Sequence, residues 1–360
     1  MTATQDLHNL GQSLWLDNIT RDLLNDGTLQ GYIDTLSVTG LTSNPSIFQK
    51  AIGGSDSYND QIRGLLGDGL DTESLFFELA IQDLRRAADL FKPIHEATGG
   101  VDGWVSLEVS PLLANDTANT IIQAKHLHAK AGRENLFIKV PGTQEGLPAI
   151  EELIFAGIPI NVTLLFSREH YLAAAEAYTR GIERRIEAGL DPFVCSVASL
   201  FVSRWDKATA GELEGDLKNA VGIAIGERTY KAFHDFVNGE RWSELKEHGA
   251  KPQRLLMAST GTKDPSLPDT LYITALAAPE TVNTMPEKTL LAFGDHGAVD
   301  GGMPADGGGC EAVLAGATSA GIDIDALAER LQVEGRDSFD ASWHSMISDI
   351  AAKTESVAEA

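Results

Sequence analysis

The sequence predicts an α/β fold in which eight parallel strands close into a (β/α)8 TIM barrel with inserted and C-terminal extra helices. Three observations carry that prediction. Eight short apolar runs alternate with segments of helical spacing, the pattern of a parallel sheet with crossovers. Polar residues fall at or just after the ends of those runs, where a closed barrel would gather them on one rim and an open, doubly wound sheet would spread them along a line. The turn after the first run also lacks the glycine fingerprint that a dinucleotide-binding open sheet needs.

The elements follow in order. Residues 13–17 read as a first strand ending on Asp17, with a helix over 18–29. A second strand, 37–41, stops at Thr42-Ser43-Asn44-Pro45-Ser46, where the proline and the polar residues before it open a loop. From 71 to 91 the positions Phe76, Ala80, Leu84, Ala87 and Phe91 recur at helical spacing, and Pro93 is expected to halt them. Residues 104–109 alternate as a third strand, followed by a helix that Gly132 caps. A fourth strand spans 136–140, and a helix closed by Gly157 leads to a fifth strand over 158–163. Ser167 is the expected N-cap of the next helix, and Gly189 ends it. The sixth strand is expected at 193–198, the seventh at 254–258 and the eighth at 271–276. Between the sixth and seventh, the acidic stretch 206–250 reads as a helical insertion. The glycine-rich segment 301–309 reads as a mobile loop, free to close over the rim with helices expected over 323–352, and the tail after Lys353 is expected to fray.

Composition narrows the function. Of the 360 residues, 43% are hydrophobic and 22% charged, ample for a core, and residues 1–360 are read as one domain. A net charge of −24 argues against nucleic acid or an anionic membrane as partner, so an anionic substrate must find a local basic pocket. The first residues lack a basic segment followed by an apolar one, and no apolar run approaches spanning length; a cytoplasmic location is expected. Cys195 and Cys310 lack the spacing of a zinc or redox pair and read as buried thiols, and His126 and His128 point to different faces of one helix. No metal site is expected.

The residue that stands out is Lys139. An ammonium group within Leu136-Phe137-Ile138-Lys139-Val140 must reach water or lose its proton, because desolvation lowers a lysine pKa, and a neutral amine is a nucleophile.

Five stretches together resemble the transaldolase family: Leu16-Asp17, Thr42-Ser43-Asn44-Pro45-Ser46, Val105-Ser106-Leu107-Glu108-Val109, Phe137-Ile138-Lys139-Val140-Pro141 and Asn161-Val162-Thr163-Leu164-Leu165-Phe166-Ser167. Ile-Lys-Val-Pro alone would be a weak signal; five motifs in order and approximate spacing are specific. The resemblance implies a Schiff-base barrel of the pentose phosphate pathway. It would move a dihydroxyacetone unit from sedoheptulose 7-phosphate to glyceraldehyde 3-phosphate with no cofactor, acting on phosphorylated sugars as a monomer or homodimer. Lys139 would form the imine, which accepts the electrons when the neighbouring carbon–carbon bond breaks. Glu108 would move the protons of imine formation through a water that Thr163 orients; the other reading of Glu108, a salt bridge to a basic neighbour, is disfavoured because its strand is apolar. Asp17 matches the base that takes the C4 hydroxyl proton, although an N-cap is a common job for such an Asp. Thr42, Asn44, Asn161 and Ser199 match residues around the retained three-carbon unit, and for Asn44 a turn role before Pro45 competes.

Arg204 matches the family's phosphate-binding arginine. Where many transaldolases end the seventh strand with Ser-Phe-Arg, this chain has Ser259-Thr260-Gly261-Thr262-Lys263, so Lys263 is expected to substitute, with the Ser259 hydroxyl contributing. Two rival readings stand beside this one. A sugar-phosphate aldolase on the same barrel would release free dihydroxyacetone, and a silent barrel would bind a metabolite or a protein through the 206–250 insertion.

Overall fold

A computed structural model of the chain describes residues 2–359. Eight strands, β1 (Ser13–Asp17), β2 (Val38–Thr42), β3 (Val105–Glu108), β4 (Leu136–Pro141), β5 (Ile160–Leu165), β6 (Ser196–Phe201), β7 (Arg254–Ala258) and β8 (Val282–Met285), pair in parallel in the order β2-β1-β8-β7-β6-β5-β4-β3. The β2 and β3 edges meet through Leu41 N–H donating to the Trp104 carbonyl and Gly103 N–H donating to the Thr39 carbonyl, both at 2.9 Å, which closes the barrel. Gly40 makes this seam possible, since a Cβ there would lie 2.7 Å from both the Trp104 carbonyl oxygen and the Trp15 ring nitrogen. Both sides of nearly every strand are buried, as expected when helices cover a parallel sheet.

Alternate residues of each strand face inward. Trp15 and Phe137 lie one inward position below Asp17 and Lys139, and Trp104 stacks on Phe137 with ring centroids 4.0 Å apart. These rings floor the upper interior. Above them the register sets Asp17 beside Thr42, Glu108 beside Lys139, and Lys139 beside Asn161.

Several boundaries differ from the sequence reading. The run at 271–276 forms a short helix, Leu271–Ala275, and the eighth strand is Val282–Met285. Short apolar runs do not distinguish buried helix from buried strand, while the true strand contains Asn283 and Thr284 and hides in a polar pattern. The sixth strand begins at Ser196, three residues later than expected. The expected helix at 18–29 is two, Arg21–Asn25 and Thr28–Leu36, separated at Gly27, whose φ is 80°. Pro93 does not stop its helix, which runs from Thr72 to Ala97; the partly buried Ile94 packs on the core beyond it. The 206–250 stretch begins with the end of a short helix, Ser203–Ala208, and holds a 3-10 turn at Gly215–Leu217 and two longer α-helices, Val221–Val237 and Glu240–Glu247.

The C-terminal region is one helix, Ile324–Glu359, not several, and its tail is docked: Val357 is buried and Lys353 Nζ donates to the Ser55 carbonyl at 2.7 Å. The 301–309 segment lies far from the rim it was expected to cover. Met303 is buried and its N–H donates to the Ala277 carbonyl at 2.7 Å, and Gly302 sits against Leu10 and Pro279, on the side where β1 and β8 begin. No helix among the described residues is long and apolar enough to cross a membrane.

Candidate active site

At the C-terminal ends of the strands, a cavity of about 140 Å³ is lined by Asp17, Thr42, Asn44, Lys139, Thr163, Ser199, Arg204, Ser259 and Lys263, nine of the eleven sequence-predicted site residues. The other two, Glu108 and Asn161, lie just beneath its wall, both buried. A larger hollow of about 670 Å³ opens at the opposite end near Ser13, Asp102 and Arg254, so size alone would choose the wrong face. Barrel topology and side-chain chemistry favour the smaller one.

Lys139 is 5% exposed. Beyond reaching water or losing its proton, its amine finds a third state in the barrel. Nζ donates to the Ser43 carbonyl at 2.8 Å and pairs with Glu108 Oε2 at 3.0 Å. The ion pair disfavoured for Glu108 therefore exists, with Lys139 itself, because parallel register places the two inward side chains on adjacent strands. Burial pushes the Glu108 carboxyl up from its ordinary range; attraction to Lys139 opposes that shift without cancelling it. Glu108 Oε1 and Thr163 Oγ1 are buried and unpartnered among the described residues.

Asp17 caps no helix, since Thr20 does that work for the helix after β1, where its hydroxyl accepts from Leu23 N–H at 3.0 Å. Its Oδ1 instead accepts from the Thr42 hydroxyl at 2.7 Å, and Thr42 Oγ1 lies 2.6 Å from Thr284 Oγ1. Burial raises the Asp17 pKa, opposed by Lys139, Thr42 and Lys263. Asn44 does cap a helix, accepting from Ile47 N–H at 3.1 Å, while still lining the cavity. The Asn161 amide is held on both sides, accepting from the Ser199 hydroxyl at 2.7 Å and donating to Ser106 Oγ at 3.2 Å.

Cations gather on one side of the mouth. Arg204 lies 5.4 Å over the Phe201 ring and makes no ion pair among the described residues. It shares an adjoining hollow with Lys207, Lys263 and Ser259, across from Glu334. Ser259 follows β7 with a left-handed φ of 56°, and its hydroxyl lies 2.9 Å from that of Ser203. Sequence reasoning missed Thr284, hidden by the misplaced eighth strand, and Phe339, which reaches the cavity from the C-terminal helix. Among the described residues no three His, Cys, Asp or Glu side chains are grouped as a metal site. The arrangement offers a buried amine next to one carboxylate, a second carboxylate and several hydroxyls in the same cavity wall, and a cationic rim.

Comparison with known proteins agrees with this chemistry. Residues 14–350 match the family described as Transaldolase/Fructose-6-phosphate aldolase. A transaldolase of Parafrankia sp. (strain EAN1pec) is 44% identical over 98% of this chain and 98% of its own length. One from Renibacterium salmoninarum is 44% identical over 99% and 98%. Transaldolase 2 of Nostoc punctiforme is 38% identical over 97% and 96%.

Proposed function

This chain belongs to the transaldolase/fructose-6-phosphate aldolase family, and from that premise we propose how its barrel mouth carries a three-carbon unit between sugar phosphates. Its activity is that of a transaldolase, a transferase. The donor is sedoheptulose 7-phosphate and the acceptor glyceraldehyde 3-phosphate, giving erythrose 4-phosphate and fructose 6-phosphate. The observation that carries the residue roles is the 3.0 Å contact between Lys139 Nζ and Glu108 Oε2 in a wall shared with Asp17.

The lysine proton passes to Glu108, whose raised pKa makes it a willing acceptor, and the freed amine adds to the ketose carbonyl. Glu108 then protonates the departing hydroxyl, through a water held by Thr163 Oγ1, and the imine forms as water leaves. Asp17 removes the C4 hydroxyl proton. The C3–C4 bond breaks, its electrons move into the imine, and the aldehyde departs. Burial holds the Asp17 pKa above the ordinary carboxylate range, which strengthens it as a base. The enamine attacks the second aldehyde, Asp17 returns its proton to the new hydroxyl, and hydrolysis frees Lys139.

Thr42, Asn44 and Ser199 contact the hydroxyls of the retained unit, with Asn161 holding Ser199 in place from below. Arg204, Lys263 and Ser259 take the phosphate. Lys263 thereby fills the role that Gly261 cannot, and its field at Asp17 supports that placement. Borohydride added with fructose 6-phosphate should fix a three-carbon adduct on Lys139, located by peptide mass. An unmodified Lys139 would refute the covalent reading, and free dihydroxyacetone in place of transfer to erythrose 4-phosphate would refute the transfer.

A further inference from the structure

The strand end that carries Thr163 is not a regular strand. Pairing between β5 and β6 jumps from Val162–Ala198 to Leu165–Leu200, so β5 holds one more residue than its neighbour across this step. The extra residue is absorbed at Leu164, a non-glycine strand residue with a left-handed φ of 61°. Such a conformation persists only when its surroundings hold it. On the β4 side, Gly142 N–H donates to the Thr163 carbonyl at 2.7 Å. The Leu164 carbonyl has lost its place in the ladder, and its partner comes from the far end of the sequence.

That partner is Gln332, on the C-terminal helix. Its Nε2 donates to the Leu164 carbonyl at 2.9 Å and to the Gly142 carbonyl at 3.2 Å, tying together the ends of β5 and β4. The amide orientation is unambiguous, since an oxygen in that place would face two acceptors. One turn further along the same face, Gly335 leaves room for Leu164 Cδ2, 3.1 Å from where a Cβ would stand, and for Arg204 Nη1 at 3.2 Å. One turn earlier, Glu329 Oε1 lies 2.9 Å from His170 Nε2, whose other ring nitrogen accepts from Phe166 N–H. The helix thus meets the bulge with one continuous face.

We propose that Gln332 is a positioning residue for imine formation: it holds the Leu164 bulge so that Thr163 Oγ1 keeps its place in the cavity wall that it shares with Lys139. The proposal rests on the Schiff-base reading above. Thr163 has no side-chain hydrogen bond among the described residues to fix it, so the backbone sets its direction. A group that orients a proton-carrying water acts in the steps that make and break the imine, not in the binding of phosphate.

Three variants separate the chemistry from the fold. Gln332→Lys keeps a donor, Gln332→Leu keeps neither donor nor acceptor, and Gln332→Glu turns an acceptor toward two carbonyls. The expected order of single-turnover adduct formation, trapped by borohydride with fructose 6-phosphate, is wild type, Lys, Leu, Glu, with about a tenfold or larger fall from wild type to Leu. KM for the donor should stay within about twofold and the thermal midpoint should not follow the same order, as a purely structural role would require. If Gln332→Leu does not fold, the Lys and Glu variants still decide the matter, and equal trapping rates in those two would overturn the proposal. Wild-type trapping is the control that keeps the two readings apart. With it intact, unchanged rates in the folded variants remove only the role of Gln332; without it, the covalent reading itself falls.

Discussion

The two ends of this barrel are built from the same eight strands and treat buried charge in opposite ways. Where the strands begin, Arg254 donates to the Ser13 hydroxyl at 2.7 Å and to the Thr281 carbonyl at 2.8 Å; Ser13 in turn hydrogen-bonds Asp102, which also accepts from the Trp15 indole at 2.8 Å. Nearby, Gln12 Nε2 donates to the Leu276 carbonyl and to Thr281 Oγ1, both at 2.8 Å. The polar atoms left unpartnered there include the amide oxygens of Gln12 and Gln253, which are neutral. Where the strands end, the unpartnered atoms include a carboxylate oxygen of Glu108 and the Thr163 hydroxyl, beside an amine. A network whose charged groups all have partners holds a shape, whereas an unpartnered carboxylate oxygen beside an amine is free to accept a proton.

The sharpest way to break that contrast is Lys139→Met. Transfer should fall by on the order of 10⁴ or more, the scale of loss when a covalent nucleophile is removed, as measured by coupled assay with sedoheptulose 7-phosphate. Asp17→Asn should lower turnover by roughly 10²–10⁴, as for loss of a general base, while the borohydride adduct still forms, because imine formation precedes the Asp17 step in the proposed sequence. The same variant tests the electrostatics. Burial raises the folded-state pKa of Asp17, so the favourable protonated contribution is complete below the ordinary carboxylate pKa and is lost as pH rises through the folded value. Asp17→Asn should therefore gain stability relative to wild type as pH rises from the acid range to neutrality in denaturant titrations; a variant that loses stability relative to wild type over that range would contradict the raised pKa.

At the opposite end the expectation reverses. Asp102→Ala should leave turnover per folded molecule unchanged and cost roughly 1–3 kcal/mol for each buried donor left unpaired, read from chemical denaturation. A loss of turnover there, with stability intact, would erase the distinction between the ends. The smallest effect belongs to the rim: Lys263→Ala should raise KM for phosphorylated substrates roughly tenfold, the scale of one charge-assisted hydrogen bond, with turnover little changed. An unchanged KM would remove Lys263 from the phosphate site.

What could be read from the sequence follows the range of the interactions. Lys139 is visible because a charge inside an apolar strand is a local anomaly, and Asp17, Thr42 and Glu108 because each closes a run whose period is local. Seven of the eight strands are legible within a few residues; the eighth is not, because Leu271–Ala275 looks more like a strand than Val282–Met285 does. That one displacement also conceals Thr284. The pairing of Glu108 with Lys139 depends on strand register, and the meeting of Gln332 with Leu164 spans 168 residues, so neither leaves a periodic trace. Asn44 shows that two readings of one residue can both hold, since it caps a helix and lines the cavity.

The floor of stacked rings beneath Lys139 has a kinetic consequence. With Trp15, Trp104 and Phe137 filling the barrel below, substrate and product must share the doorway at the rim, and the first aldehyde must vacate it before the second can enter. Donor and acceptor should then take turns, with double-reciprocal initial-rate lines at different acceptor concentrations expected to run parallel.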